Sequence, residues 1–128
     1  QQQYSGGSPV LNNVYPIQTP SFRAACGALS LAAGYVRGES GMCHAAAALG
    51  IPAVTIWGGC MDWEVLGGYP KQIGVGIDTS SGSPCGSWKP CRHCESIMTA
   101  IAPERVADAI KRMIGTMFSP ATAPPDKA

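Results

Sequence analysis

Four side chains within ten positions carry the donor atoms of a metal site: Cys85, Cys91, His93 and Cys94. Cys91 and Cys94 form a C-x2-C pair, and Cys85 lies six residues earlier. Three thiolates and one imidazole suit tetrahedral zinc. Ligands at the adjacent positions 93 and 94 are awkward, however, and zinc motifs usually combine two well-separated pairs. A disulfide and plain reduced thiols therefore stand beside zinc as alternatives. A metal or a disulfide here would be structural, stapling a loop poor in apolar residues. Cys60 follows a glycine pair and could face a ligand cleft, but a nucleophilic role for it has little support for want of a base. Cys26 and Cys43 fall among alanines in helical stretches and read as buried, inert thiols.

A second constellation could hold an anion. Glu39, Ser40, Gly41, Met42 and His44 lie where a short β-prone run, Tyr35-Val36, gives way to an alanine-rich helix predicted over 42–49. Gly41 lets a backbone come close to a ligand, and the helix start offers free N–H groups and the positive end of the dipole. Gly50 is placed to end that helix as its C′ residue. Residues 51–57 then form a continuous apolar run, which is how a buried parallel strand reads, followed by Gly58-Gly59. The unit is β-loop-α-β. Its loop sits at the carboxyl end of a strand, where open α/β sheets bind ligands.

This stretch resembles the donor-binding segment of glycosyltransferase family 9, the lipopolysaccharide heptosyltransferase family. Ser40, Gly41, His44, the run from Ala46 to Gly50, Pro52, Val54 and Gly58 match its pattern, while Glu39 stands where an aspartate is usual. Leu-Gly-Gly-Tyr-Pro at 66–70 resembles the family's Gly-Pro-Tyr-Gly turn. Pro84-Cys85, Cys91, Cys94 and the stretch 98–110 resemble its end. The resemblance implies a Rossmann-like, partial GT-B C-terminal domain with a mostly parallel sheet. It implies transfer of a sugar from a nucleotide-diphosphate donor to a saccharide or lipopolysaccharide acceptor, with inversion and without a catalytic metal. Ser40, Gly41 and His44 would bind the diphosphate, with Met42 and Gly58 beside them and Glu39 orienting the loop or touching the sugar. The acceptor and the general base would come from an N-terminal domain not visible in this sequence, so no catalytic residue is assigned and the chain alone is expected to transfer no sugar. The alternative is a non-catalytic nucleotide-binding or structural fragment that needs a partner domain.

The elements that must position these residues follow from composition. A chain of 128 residues with 45% hydrophobic and 13% charged residues is globular rather than disordered, and is one domain at most. A net charge of +1 gives no electrostatic footprint for nucleic acid, and no apolar run reaches the length of a membrane span. Six cysteines without the spacing of a small secreted scaffold point to a reducing, cytoplasmic setting. The expected organisation is a flexible start over 1–9, a partial nucleotide-sugar-binding domain over 10–118, and a disordered Ala/Pro-rich tail over 119–128. An extended piece is predicted over 10–17. A helix is predicted from Thr19 as N-cap and Pro20 at N1 to Ala33, with Phe22, Cys26, Leu29 and Ala33 on its apolar face. An irregular loop over 60–71 carries Asp62, Trp63 and Glu64; a solvated loop is preferred there to a carboxylate pair. A strand is predicted over 72–77 and a long loop over 78–93. A last helix starts at Pro103, with Val106, Ala109, Ile110, Met113, Ile114 and Met117 as its buried stripe and Lys111 and Arg112 near its end. Trp57, Trp63 and Trp88 read as core or lid aromatics. Missing sheet neighbours make oligomerisation or marginal stability an expectation.

Overall fold

The computed structural model describes residues 12–77, 82–87, 89 and 91–118. The expectations for 1–9, Val10, Leu11, Asp78, Trp88 and 119–128, and for the side chain of Met117, lie outside these. Eight elements follow in chain order: α1 (Phe22–Leu29), β1 (Tyr35–Gly38), α2 (Gly41–Ala48), β2 (Ala53–Ile56), α3 (Trp63–Leu66), β3 (Gln72–Val75), α4 (Arg92–Thr99) and α5 (Pro103–Phe118).

The strands form one parallel sheet in the order β1-β2-β3, with Tyr35 beside Ala53 and Ala53 beside Gln72. The continuous apolar run predicted as a parallel strand is the central strand. Ala53, Val54 and Thr55 are fully buried because both faces of β2 are covered. Alternation along β2 splits the core in two. Val54 joins Val75, Ala109 and Met113 beneath α5. Ala53 joins Ala46 and Leu29 beneath α2 and α1. The buried Thr55 hydroxyl donates to Gln72 Oε1 at 3.4 Å, and the Gln72 amide donates to the Cys43 carbonyl at 2.8 Å. That thread ties β2 to β3 through Thr55, the one polar side chain among the described buried residues, and β3 to α2 through Gln72.

Gly50 has φ +69° and ends α2 as expected, its N–H on the Ala47 carbonyl. Several boundaries differ from expectation. The first helix begins two residues late because Ser21, not Thr19, caps it, its hydroxyl accepting from the Ala24 N–H at 3.1 Å. It stops at Leu29, where Ser30 turns back to the Gly27 carbonyl. Phe22 is 61% exposed and Ala33 is also exposed, so the predicted apolar face shrinks to the buried Leu29 and Cys26, which is half-buried rather than buried. Residues 14–17 form no strand, and Val14, Tyr15 and Ile17 are exposed. The loop over 60–71 contains a helical turn, α3, capped by Asp62, whose carboxylate accepts from the Glu64 N–H at 2.8 Å. Asp62 is therefore a cap rather than a free carboxylate.

The last helix starts at Pro103 as predicted, and Ala109 and Met113 are buried. Ile114 is 45% exposed, outside the stripe. Because α5 runs on to Phe118, Lys111 and Arg112 are mid-helix and do not face its negative end. A whole helix, α4, starts inside the predicted loop and runs through positions 94–99, for which no element is predicted. Trp57 is buried, donates its indole N–H to the Met61 carbonyl at 2.8 Å, and meets Trp63 edge-on at 5.3 Å. No helix among the described residues is long and apolar enough to cross a membrane.

Candidate functional site

Both predicted constellations lie past the carboxyl ends of the strands. The cysteine cluster is built on the turn that follows β2. Cys85 donates its N–H to the Gly59 carbonyl and Gly86 to the Cys60 carbonyl, each at 2.9 Å, while Ser83 Oγ adds 3.3 Å to Gly59. These bonds lay the segment around Cys85 against Gly59 and Cys60. Helix α4 closes the other side. A Cβ built on Gly59 would run into Ile97 and stand 2.7 Å from His93 Cε1, so only glycine lets α4 come this close.

Cys91 caps α4. Its sulfur accepts from the Cys94 N–H at 3.4 Å, and its carbonyl from Glu95 at 3.0 Å. One helical turn then brings Cys94 back over Cys91, and His93 turns in beside them, half-buried. The four ligand atoms of Cys85, Cys91, His93 and Cys94 all lie within 4.8 Å of one another. Cys85 Sγ is 3.3 Å from Cys94 Sγ and 3.8 Å from Cys91 Sγ. Tetrahedral zinc with Zn–S bonds of about 2.3 Å separates its sulfurs by about 3.8 Å, so the spacing fits. The cluster could hold a metal ion, and soft thiolate donors favour zinc over magnesium or calcium. The adjacency of 93 and 94, awkward on a flat chain, is resolved by the helix start. All six cysteines are free thiols.

Electrostatics singles out Cys85. The Ser87 backbone N–H, then the thiols of Cys94 and Cys91 and the His93 ring, favour its thiolate and bring it down to about 7. Cys94 holds its proton on that thiolate and is pushed up to about 12. Burial, then the neighbouring Cys85 charge, pushes the Cys60 thiol up, and Cys60 donates to the Ser87 carbonyl at 3.1 Å. A lowered thiol is ionised above its titration point and protonated below it. Alkylation of Cys85 by iodoacetamide in metal-free protein should therefore rise as pH climbs through about 7, with Cys60 and Cys94 lagging. Peptide-resolved mass spectrometry would read the order; equal labelling of all three would contradict it.

The glycine loop is the second feature. Ser40 stands at the N-cap of α2, but its hydroxyl makes no capping bond and lies 3.8 Å from Cys43 Sγ instead. A Cβ on Gly41 would meet nothing within 4 Å, so the helix start opens outward. His44 Nε2 lies 3.9 Å from Glu39, an ion pair whenever the imidazole is protonated, and Nδ1 is 3.0 Å from the Tyr69 hydroxyl. The ring of Tyr69 meets His44 edge-on. Met42 packs into the core beneath α2, which leaves only its backbone for a ligand. Gly58 faces the Met98 side chain of α4 rather than the loop. The Glu39 charge also contributes to raising the Cys60 thiol.

Tyr69 was missed as a site residue. Its sequence signal was the Leu-Gly-Gly-Tyr-Pro turn, but nothing there pairs it with a histidine 25 positions earlier. A groove of about 360 Å³ between His44, Tyr69 and Lys71 reaches the far end of α2 at Gly50. The helix dipole is negative there, so this groove suits an anion less well than the open start at Gly41. A scan against protein-family models, a search of curated proteins and a search of solved structures return no match to this chain.

Proposed function

We propose that the chain is the nucleotide-diphosphate-sugar-binding part of a family 9-like glycosyltransferase, with a structural zinc ion in the Cys85, Cys91, His93 and Cys94 site. The observation that carries the reading is the carboxyl edge of the parallel sheet, where an open helix start with an uncapping serine stands beside Glu39 and His44. A diphosphate there meets backbone N–H groups and a positive helix end. In sugar transfer the diphosphate is the leaving group and gains charge as the glycosidic bond breaks, so fixed donors at this edge favour the transition state. His44, held between Glu39 and Tyr69, would add a directed donor. Zinc would fix the turn after β2 that borders the same edge and takes no part in the chemistry. The acceptor hydroxyl and its base belong, in this reading, to another domain.

Gly41→Val tests it. The added Cβ meets nothing within 4 Å, so the fold should tolerate the change and melt close to the parent. It would fill the space above the helix start and weaken a nucleotide diphosphate by more than about tenfold, or ~1.4 kcal/mol. Calorimetry with ADP-, GDP- and UDP-sugars reads the change; equal affinity in the variant would place any nucleotide elsewhere. A non-catalytic reading draws on β1, whose outer edge pairs with no strand among the described residues and whose Val36 and Arg37 are exposed. Such a fragment would bind the nucleotide without sugar transfer even when supplied with its partner domain.

A further inference from the structure

We propose that Cys85 and Cys94 form an oxidisable pair, which peroxide closes into a disulfide that abolishes the metal site. The idea adds a regulation to that site and rests on the metal reading only for its consequence, not for the pairing itself. Sequence spacing alone would pair Cys91 with Cys94, the C-x2-C couple. Geometry points elsewhere. Cys85 and Cys94 approach to 3.3 Å between sulfurs, against 3.8 Å for Cys85 and Cys91. Closing to a bond of about 2.05 Å asks for little more than 1 Å of movement. Cys91 is engaged as the cap of α4, its sulfur turned to the Cys94 N–H. Cys60, the other thiol beside Cys85, is turned to the Ser87 carbonyl.

The oxidant is hydrogen peroxide. The Cys85 thiolate attacks one peroxide oxygen, an S–O bond forms, the O–O bond breaks, and the departing hydroxide takes a proton to become water. The resulting sulfenic acid is then attacked by Cys94. An S–S bond forms, the S–O bond breaks, and the second hydroxide leaves as water with the proton that Cys94 gives up. Two thiols lose two electrons and one peroxide is reduced to two waters. Only Cys91 and His93 then remain as donors, too few for a tetrahedral site.

The test uses the full chain, reduced and stripped of metal, treated with one equivalent of hydrogen peroxide and mapped for disulfides by peptide mass spectrometry. The expected product is a single Cys85–Cys94 bridge, formed also in Cys91→Ser. The oxidised chain should take up no cobalt(II), and dithiothreitol should restore uptake where the reduced chain shows it. A Cys91–Cys94 or Cys60–Cys85 bridge as the main product, or no bridge at all, would overturn the pairing. Zinc uptake by the reduced chain, measured separately, tests the metal reading alone. A bridge in a chain that binds no zinc would leave the pairing standing and the metal reading lost.

Discussion

Cys94→Ser should lose stoichiometric zinc, with affinity falling by more than about 100-fold, since even an outer-shell partner of a metal ligand is worth roughly 10- to 100-fold. Cys94 lies closer to Cys85 than Cys91 does, and α4 carries it one turn beyond its cap. Without it three donors remain and the coordination shell is open. Apolar packing does not substitute, because α4 has no fully buried residue and the segment around Cys85 is held by backbone bonds to Gly59 and Cys60. A metal ion bound here would therefore be folding energy for the α4 end of the molecule. Elemental analysis and cobalt(II) absorption would measure the loss, and chelation of the wild type should loosen the same segment in hydrogen exchange. Cys26→Ser, on α1, should keep its metal. Full zinc occupancy in Cys94→Ser would remove the thiolate cluster from consideration.

Gly76→Ala should be the most damaging single methyl added at any described glycine, at about 2–5 kcal/mol. Gly76 ends β3 with φ +80°, a conformation that costs an L side chain roughly 1–2 kcal/mol. The new Cβ would run into Ile101 and lie 2.8 Å from the Trp57 carbonyl oxygen. That carbonyl cannot retreat, because the Trp57 N–H is anchored on Val75 at 2.7 Å and its side chain is buried. Ile101 in turn packs on the core beneath α5. Against a typical stability of about 5–15 kcal/mol, the variant should melt roughly 10–20 °C lower. Gly82→Ala is the control: φ is +97° but no atom lies within 4 Å of the added carbon, so only the backbone cost applies. A melting point for Gly76→Ala no lower than that of Gly82→Ala would refute the steric argument.

The β-loop-α-β core was legible because each signal there is local. The apolar run of β2, the alanines of α2 and Gly50 each point to one structure, and the parallel register follows. The metal donors were legible as types but not as a site. Cys91 is a cysteine in a capping position where serine, threonine or aspartate would announce a helix, so α4 went unseen, and with it the turn that stacks Cys94 over Cys91. Thr19-Pro20 outcompeted Ser21 as a helix start on paper, because the choice is made by where the chain leaves the body of the protein. Contacts across the sheet edge, such as His44 with Tyr69 and with Glu39, depend on loops whose path no periodicity records.

The sheet adds its strands in the order in which they occur in the chain. Paired residues are 18 apart between β1 and β2 and 19 apart between β2 and β3. Each addition closes a loop of nearly the same length and meets nearly the same entropy, so neither step is a bottleneck of its own. Assembly can then follow synthesis. β1 and β2 can zip around α2 before β3 exists, β3 extends the growing edge, and α5 arrives last to cover Val54 and Val75. Nascent chains halted before Pro103 would present that apolar face bare, which makes this the moment of synthesis at which a chaperone has most to bind.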